Sequence, residues 1–286
     1  MSKFRVVSPL GSECPAKIIG LKNGYQIAKC TRTGHGFVVN RPDLAELADF
    51  YSAERATQSF SDDLRKQIFP GSKTDASKYL EIFAKYGPPS GSFLEVGAGW
   101  GYASEFAAEK GYEVTALEQS PECVASLRER LGLSGKVFLN SFEEFKPSAE
   151  PAYDFILMSQ VLEHSVDPSY WLLKARRLLK HDGILIIAVP QFLGLYWFLG
   201  LADPYICPPA HLNYFTKKSL RQFAKSAGLQ CVTTKTYSRV PYFNLKARLK
   251  NPISARFVYE ALRIPFFCLD RIGVSMIQVQ VFKRFA

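Results

Sequence analysis

From Phe93 to Val189 short apolar runs alternate with stretches of helical spacing. Phe93–Val96, Val114–Leu117, a run ending before Asn140, Phe155–Met158 and Ile184–Val189 are each four to six residues or so and bounded by turn residues, as strands buried on both faces would be. Between them, Tyr102–Lys110 and Trp171–Lys180 carry the spacing of helices. Strand alternating with helix predicts an α/β fold, a doubly wound and mostly parallel sheet with right-handed crossovers. Beyond it, Lys217–Ala227 reads as a helix, and Gln230–Tyr237 and Met276–Lys283 as strands forming an antiparallel pair that closes the sheet.

The pattern changes upstream. Residues 1–45 read as a separate, small β-rich unit, with Gly24–Lys29 and Gly36–Asn40 forming a hairpin around Thr31–His35. Residues 46–88 read as a helical lid or linker, with helical stretches at Leu44–Ala53, Asp62–Gln67 and Asp75–Lys85. Gly87-Pro88-Pro89-Ser90-Gly91 ends it and introduces the first core strand, so the main domain is set at 89–286.

The first core strand runs into Glu95-Val96-Gly97-Ala98-Gly99-Trp100-Gly101, and the second closes on Glu118. Glycines on alternate positions let a backbone approach a ligand closely, and an acidic residue at that second strand end suits ribose hydroxyls. A dinucleotide fits poorly. The third small residue of its fingerprint would fall at Tyr102, and Glu95 would meet a pyrophosphate at close range. A cationic nucleoside reverses that sign. These residues resemble the class I S-adenosylmethionine-dependent methyltransferases, which implies a Rossmann-like sheet and S-adenosylmethionine as cofactor. Tyr153–His164 resembles the fourth-strand motif of those enzymes, followed by Val166-Asp167-Pro168. Pro208–Thr216, Ser219-Leu220 and Ala227-Gly228-Leu229 resemble the group that includes quinone O-methyltransferases and sugar methyltransferases. The resemblance spans about residues 75–238.

It implies roles for particular residues. Glu95, Gly97, Gly99 and Gly101 border the methionine part of the cofactor, Glu118 takes the ribose, and Gln119 lies near the adenine. Asn140, Ser141 and Phe142 lie at the adenine edge, and Ser159 and Gln160 leave the fourth strand beside the sulfonium. Histidine titrates near neutrality, so His164 and His211 are candidate general bases. Each could equally order its own loop. Tyr196, Trp197, His211 and Tyr214 are the candidate acceptor contacts, on an aromatic cap at about 191–216. His35 and His181 read as peripheral.

Composition narrows the partners. With 47% hydrophobic and 22% charged residues in 286, the chain is globular, not disordered. Residues 183–202 carry no charge, the length of a membrane span, but the strand and Pro190 break the run. Six cysteines lack a disulfide rhythm and nothing reads as a signal peptide, which points to a reduced, cytoplasmic chain. Some members of the resembled group begin with a zinc ribbon. Here Cys14 and Cys30 each stand where a two-cysteine knuckle would be and lack the second cysteine, so no metal is expected. Net charge is +10, and the insertion at about 239–272 carries seven basic against two acidic residues. That is either a solvated face or a surface for an anionic or carrier-linked acceptor, or for peripheral membrane contact; nucleic acid is not expected. The expected function is methylation of a small-molecule acceptor at a hydroxyl. C- or N-methylation of a nucleotide-linked or carrier-bound sugar is the alternative, and a non-catalytic binding protein on the cofactor fold is the alternative of another class.

Overall fold

The computed structural model describes residues 15–43, 45–47, 49–51, 70–132, 135–238 and 252–285. The expected helix at 62–67 and the start of the basic insertion therefore lie outside the described residues.

A seven-stranded sheet forms the centre. Its strands are β4 (Ser92–Val96), β5 (Glu113–Glu118), β6 (Gly135–Leu139), β7 (Tyr153–Ser159), β8 (Leu179–Pro190), β10 (Leu229–Tyr237) and β11 (Ile277–Arg284). The order is β10-β11-β8-β7-β4-β5-β6. β4 to β8 run parallel, while β11 pairs antiparallel with both β8 and β10, as the alternation and the closing pair had led us to expect.

The apolar runs are continuous because both faces of this sheet are covered. Leu94, Ile156, Leu185 and Ile187 face one core with helices α4 (Pro168–Leu178) and α6 (Lys217–Ser226). Their neighbours Phe93, Phe155, Ile184 and Ile186 face the other, with α1 (Pro70–Tyr86), α2 (Tyr102–Glu109) and α3 (Pro121–Leu131). Period-two side-chain direction thus splits each strand between two cores. Helix α1 shares the second core through Ala76, Tyr79, Leu80 and Phe83, so it is packed on the sheet.

Element ends differ from expectation where capping outweighs periodicity. Helix α4 starts at Pro168, because the Asp167 side chain accepts from the Tyr170 N–H. It stops at Leu178, and Leu179 already pairs with Tyr153 in the sheet. The basic insertion contains a helix, α7 (Pro252–Arg271), which the sequence pattern had not resolved.

A second, antiparallel sheet has the order β1-β2-β3-β9, with β1 (Ala16–Lys22), β2 (Tyr25–Cys30), β3 (Gly36–Val38) and β9 (Asn213–Tyr214). The expected hairpin is β2–β3, with Ile27 opposite Val38. β1 was not expected: most of its side chains are exposed, so no alternation marks it. β9 belongs to the segment before α6, so β3–β9 pairing stitches the N-terminal unit to the main domain. Two cysteine and histidine expectations need correction. Cys30 is disulfide-bonded, against the reduced reading of the cysteine spacing. His35 is fully buried among the rings of Phe37, Phe215 and Phe223, not peripheral, and burial pushes its pKa down to about 3. His181 is exposed beside Asp182, as expected.

Candidate active site

The parallel strands end together at one edge, where α/β folds bind ligands. The turn from β4 to α2 holds Gly97, Gly99 and Gly101 at φ of 65°, 51° and 70°, the left-handed region that disfavours side chains. The three differ in what faces them. A Cβ on Gly97 would lie 2.4 Å from Val161 Cγ1, and one on Gly101 would lie 2.3 Å from Leu127 Cδ1. A Cβ on Gly99 would meet nothing within 4 Å. A side chain at Gly97 or Gly101 would thus collide with Val161 or Leu127, whereas Gly99 alone of the three has open space beside its Cα.

Glu118 closes β5 beside this turn. Its Oε2 accepts from the Gly99 N–H at 2.7 Å, and Oε1 accepts from the Gln119 and Ser120 N–H groups at 2.7 and 2.8 Å. The acid thereby ties the second strand end to the glycine turn. Glu95 is buried and engaged differently from the expectation of a ligand contact. Its Oε2 accepts from the N–H and hydroxyl of Ser104, at 2.9 and 2.6 Å, and so caps the first turn of α2. Burial raises its pKa to about 7 despite those bonds.

Of the residues after β6, the Asn140 N–H donates to the Glu118 carbonyl at 3.1 Å, and Ser141 bonds Glu144. Phe142 is a core side chain, edge-on to Trp171, and its carbonyl accepts from the Lys174 ammonium at 2.6 Å. Gln119 is exposed at the rim.

Past β7 the groups become denser. Ser159 donates to the Tyr79 hydroxyl at 3.1 Å, which lies 3.1 Å from the Tyr237 hydroxyl. Gln160 sits at φ 57°, and its side-chain nitrogen is buried with no partner among the described residues. The next short turn, Leu162–His164, buries Glu163 with neither oxygen hydrogen-bonded among the described residues, and burial pushes its pKa up to about 8. An unpaired buried polar group costs about 1–3 kcal/mol, so Gln160 and Glu163 together mark a place a ligand would complete.

His164 and His211 meet edge to face, ring centroids 4.7 Å apart. His164 Nδ1 lies 2.8 Å from the Ala210 carbonyl, and His211 Nδ1 lies 2.7 Å from the Tyr205 carbonyl. A carbonyl only accepts, so His211 carries its proton on Nδ1 and keeps a lone pair on Nε2. The His164 ring also meets the Gln160 backbone, and the Tyr51 hydroxyl lies 3.1 Å from its Nδ1. Burial lowers both pKa values, that of His164 to about 3. Glu163, His164 and His211 each place one ligand atom within 4.8 Å of the others, a group that could hold a cation. The sequence had given no metal to this chain and had not singled out Glu163 as a site residue.

The remaining acceptor candidates divide. The Tyr214 hydroxyl donates to the His211 carbonyl at 2.9 Å from a buried position, so it braces that loop. Tyr196 is half-buried and bonded to Met276 Sδ. Trp197 faces outward, 65% exposed, with the Lys29 ammonium 5.6 Å from its ring. Tyr205, expected from the sequence as an aromatic neighbour of His211, does border it. Tyr79 and Tyr237 border the site without having been expected there, since an aromatic on a helix or strand gives no sign of which surface it will meet.

The described residues fit S-adenosylmethionine: open backbone at Gly99, a carboxylate at the second strand end, and buried groups awaiting partners past β7. Comparison with known proteins agrees in fold. A family described as a methyltransferase domain matches residues 66–234. The chain is 25% identical over 226 residues to the ubiquinone biosynthesis O-methyltransferase of Actinobacillus pleuropneumoniae serotype 5b, covering 65% of this chain and 96% of that protein. With the enzyme of the same name from Xanthomonas axonopodis pv. citri it shares 26% over 192 residues, covering 64% and 80%. Among solved structures, the 1,6-didemethyltoxoflavin-N1-methyltransferase of Burkholderia thailandensis, bound to 1,6-didemethyltoxoflavin and S-adenosylhomocysteine, superposes with a TM-score of 0.56 at 18% identity, over 95% of this chain and all of that one. An S-adenosylmethionine-dependent methyltransferase of Clostridium acetobutylicum superposes with a TM-score of 0.51 at 10% identity, over 85% and 99%. The chain belongs to the methyltransferase-domain family, and its fold is that of class I S-adenosylmethionine-dependent methyltransferases.

Proposed function

We propose that this methyltransferase uses S-adenosylmethionine to methylate a hydroxyl of a small-molecule acceptor, with His211 taking the hydroxyl proton. When bound, the cofactor supplies an electrophilic methyl group on a sulfonium. The glycine turn, Glu118, Ser159 and Gln160 would hold it. The acceptor would enter beneath the segment carrying Tyr196 and Tyr205, against His164 and His211. Holding an oxygen in line with the methyl carbon is most of the work, and removing its proton is the rest.

One observation carries the choice of base. The Tyr205 carbonyl fixes the proton of His211 on Nδ1, so Nε2 faces out of that bond as an acceptor, and burial keeps the ring neutral at working pH. The O-methyltransferase names of the relatives at 25% and 26% identity support a hydroxyl acceptor. A quinol-like ring, flat and apolar with polar edges, suits the surrounding tyrosines.

The test is a radiolabelled methyl-transfer assay against a panel of hydroxylated aromatics, with titration of cofactor binding on the same protein. His211→Ala should lower kcat by about a hundredfold or more while leaving S-adenosylmethionine affinity within about twofold. If His211 only braces its loop, the variant will lose thermal stability and keep its turnover at low temperature. A second reading rests on the grouping of Glu163, His164 and His211, in which a bound cation would lower the pKa of the acceptor hydroxyl. Loss of turnover on chelation, restored by a divalent cation, would select it.

A further inference from the structure

Helix α7 has two apolar sides. Phe266 and Leu269 pack inward with Tyr237, Leu195 and Ile277, which fastens the helix to the edge of the main sheet. Phe257, Ile264 and Phe267 lie at helical spacings of seven and three, and Ile272 follows just past the end. They are 77%, 71%, 57% and 71% exposed. Singly exposed apolar residues need no explanation, but three large ones on one helix with a fourth just past its end do. The patch continues beyond α7. Leu195, from the short helix α5 (Leu195–Phe198), shares the same inner cluster, and next to it Trp197, Phe198, Leu199 and Leu201 are exposed.

Cations frame this surface. Arg256 is exposed on α7, and the Arg271 guanidinium lies 4.7 Å over the ring of Phe267. The Lys29 ammonium stands over Trp197, and Lys217 donates to the Gly273 carbonyl at the end of α7. Lys217 also opens a surface concavity lined by Lys218, Arg221 and Lys225. Of the two acids on α7, Glu260 is exposed, whereas Asp270 turns inward to accept from the N–H and hydroxyl of Ser238. Segment 239–272 as a whole carries seven basic and two acidic residues.

We propose that α7 and the adjoining α5 tip dock this chain on an anionic membrane surface. Such a surface takes apolar rings at the acyl boundary and cations at the phosphates in one arrangement. A second copy of this chain would oppose cation to cation across a two-fold axis, which disfavours self-association. The described residues include no helix long and apolar enough to cross a membrane, so the contact is with the surface. Tyr196, Tyr205 and Tyr237 lie in the cluster just beneath, so docking would set the acceptor side of the site over the bilayer. The docking stands whichever acceptor is methylated.

Flotation of the full chain with vesicles tests it, comparing equal parts phosphatidylglycerol and phosphatidylcholine with phosphatidylcholine alone. We expect co-flotation with the anionic vesicles, falling on the order of tenfold without phosphatidylglycerol or at high salt. The double variant Ile264→Asp with Phe267→Asp should lose on the order of tenfold in bound fraction. Arg256→Glu with Arg271→Glu should abolish the preference for phosphatidylglycerol. All four side chains are exposed, so melting temperatures should be unchanged; Phe257→Ser, farther from the inner cluster, serves if the aspartates unfold the helix. Failure of the unaltered chain to float, or equal flotation of the variants, overturns the proposal. So does a dimer in solution that Ile264→Asp dissolves without any vesicle binding.

Discussion

At the scale of single residues, the site depends on carboxylates whose surroundings differ. Glu118 spends both carboxylate oxygens on N–H groups of two turns, whereas the Glu163 carboxylate is buried with neither oxygen hydrogen-bonded among the described residues. Glu118→Ala should therefore weaken S-adenosylmethionine binding by about 1–3 kcal/mol, through lost ribose bonds and three released N–H groups. Titration calorimetry reads the affinity, and an unchanged value would remove Glu118 from the cofactor site. Glu118 could be picked out beforehand because a strand end and a spacing mark it. Glu163 could not, since its interest comes from what fails to reach it.

At the scale of elements, the β4–α2 turn separates packing from binding. Ala at position 99 should cost about 1 kcal/mol of stability, the penalty of a left-handed backbone. At 97 or 101 the same change also drives a Cβ into Val161 or Leu127, so the cost should rise to about 2–4 kcal/mol. Cofactor affinity should fall most for Gly99→Ala relative to its stability loss. Denaturant unfolding and calorimetry on the three variants check the order, and equal stability losses would contradict the assigned contacts. The α6 start shows a comparable division. Thr216 and Ser219 form a capping box, and the Thr216 hydroxyl also donates to the Thr33 carbonyl of the N-terminal unit. The glycine pattern was legible as a motif, whereas the Thr216–Ser219 capping pair was not. Nor was it legible which glycine has open space beside its Cα, or which carbonyl the threonine reaches.

At the scale of the molecule, buried titratable groups set a narrow pH range for stability. Glu95 and Glu163 have folded pKa values raised to about 7 and 8 from the ordinary 4.5. Their stabilising contribution is complete below pH 4.5 and is lost as pH rises through 7 and 8. His35 and His164 are lowered to about 3 from 6.5, so their contribution is complete above pH 6.5 and is lost as pH falls toward 3. Between pH 4.5 and 6.5 the two carboxyls and the two histidines oppose one another and nearly cancel, so stability is flat there and falls on either side. Urea midpoints at pH 3.5, 6 and 8.5 should be highest at the middle value without cofactor. A plateau from 6 to 8.5 would mean that the two carboxyls are not held protonated in the folded chain.

The sequence by itself determined the class of fold and the edge of the sheet where chemistry sits. Strand alternation, the glycine turn and the strand-end acid are local patterns, and backbone sterics and period-two burial act over a few residues wherever they occur. It also placed His164 and His211 as candidates, but as residues 47 apart with no stated relation. Only the tertiary structure brought their rings to 4.7 Å, set His164 against the Ala210 carbonyl, fixed the His211 tautomer through the Tyr205 carbonyl, and put Glu163 beside them. It alone paired β3 with β9, enclosed His35 among aromatic rings, and made residues Pro252–Arg271 of the basic insertion a helix with one apolar side left to solvent. Those outcomes depend on contacts between segments far apart in the chain, whose geometry is decided by how two cores close around one sheet and leaves no periodic trace in the residues themselves.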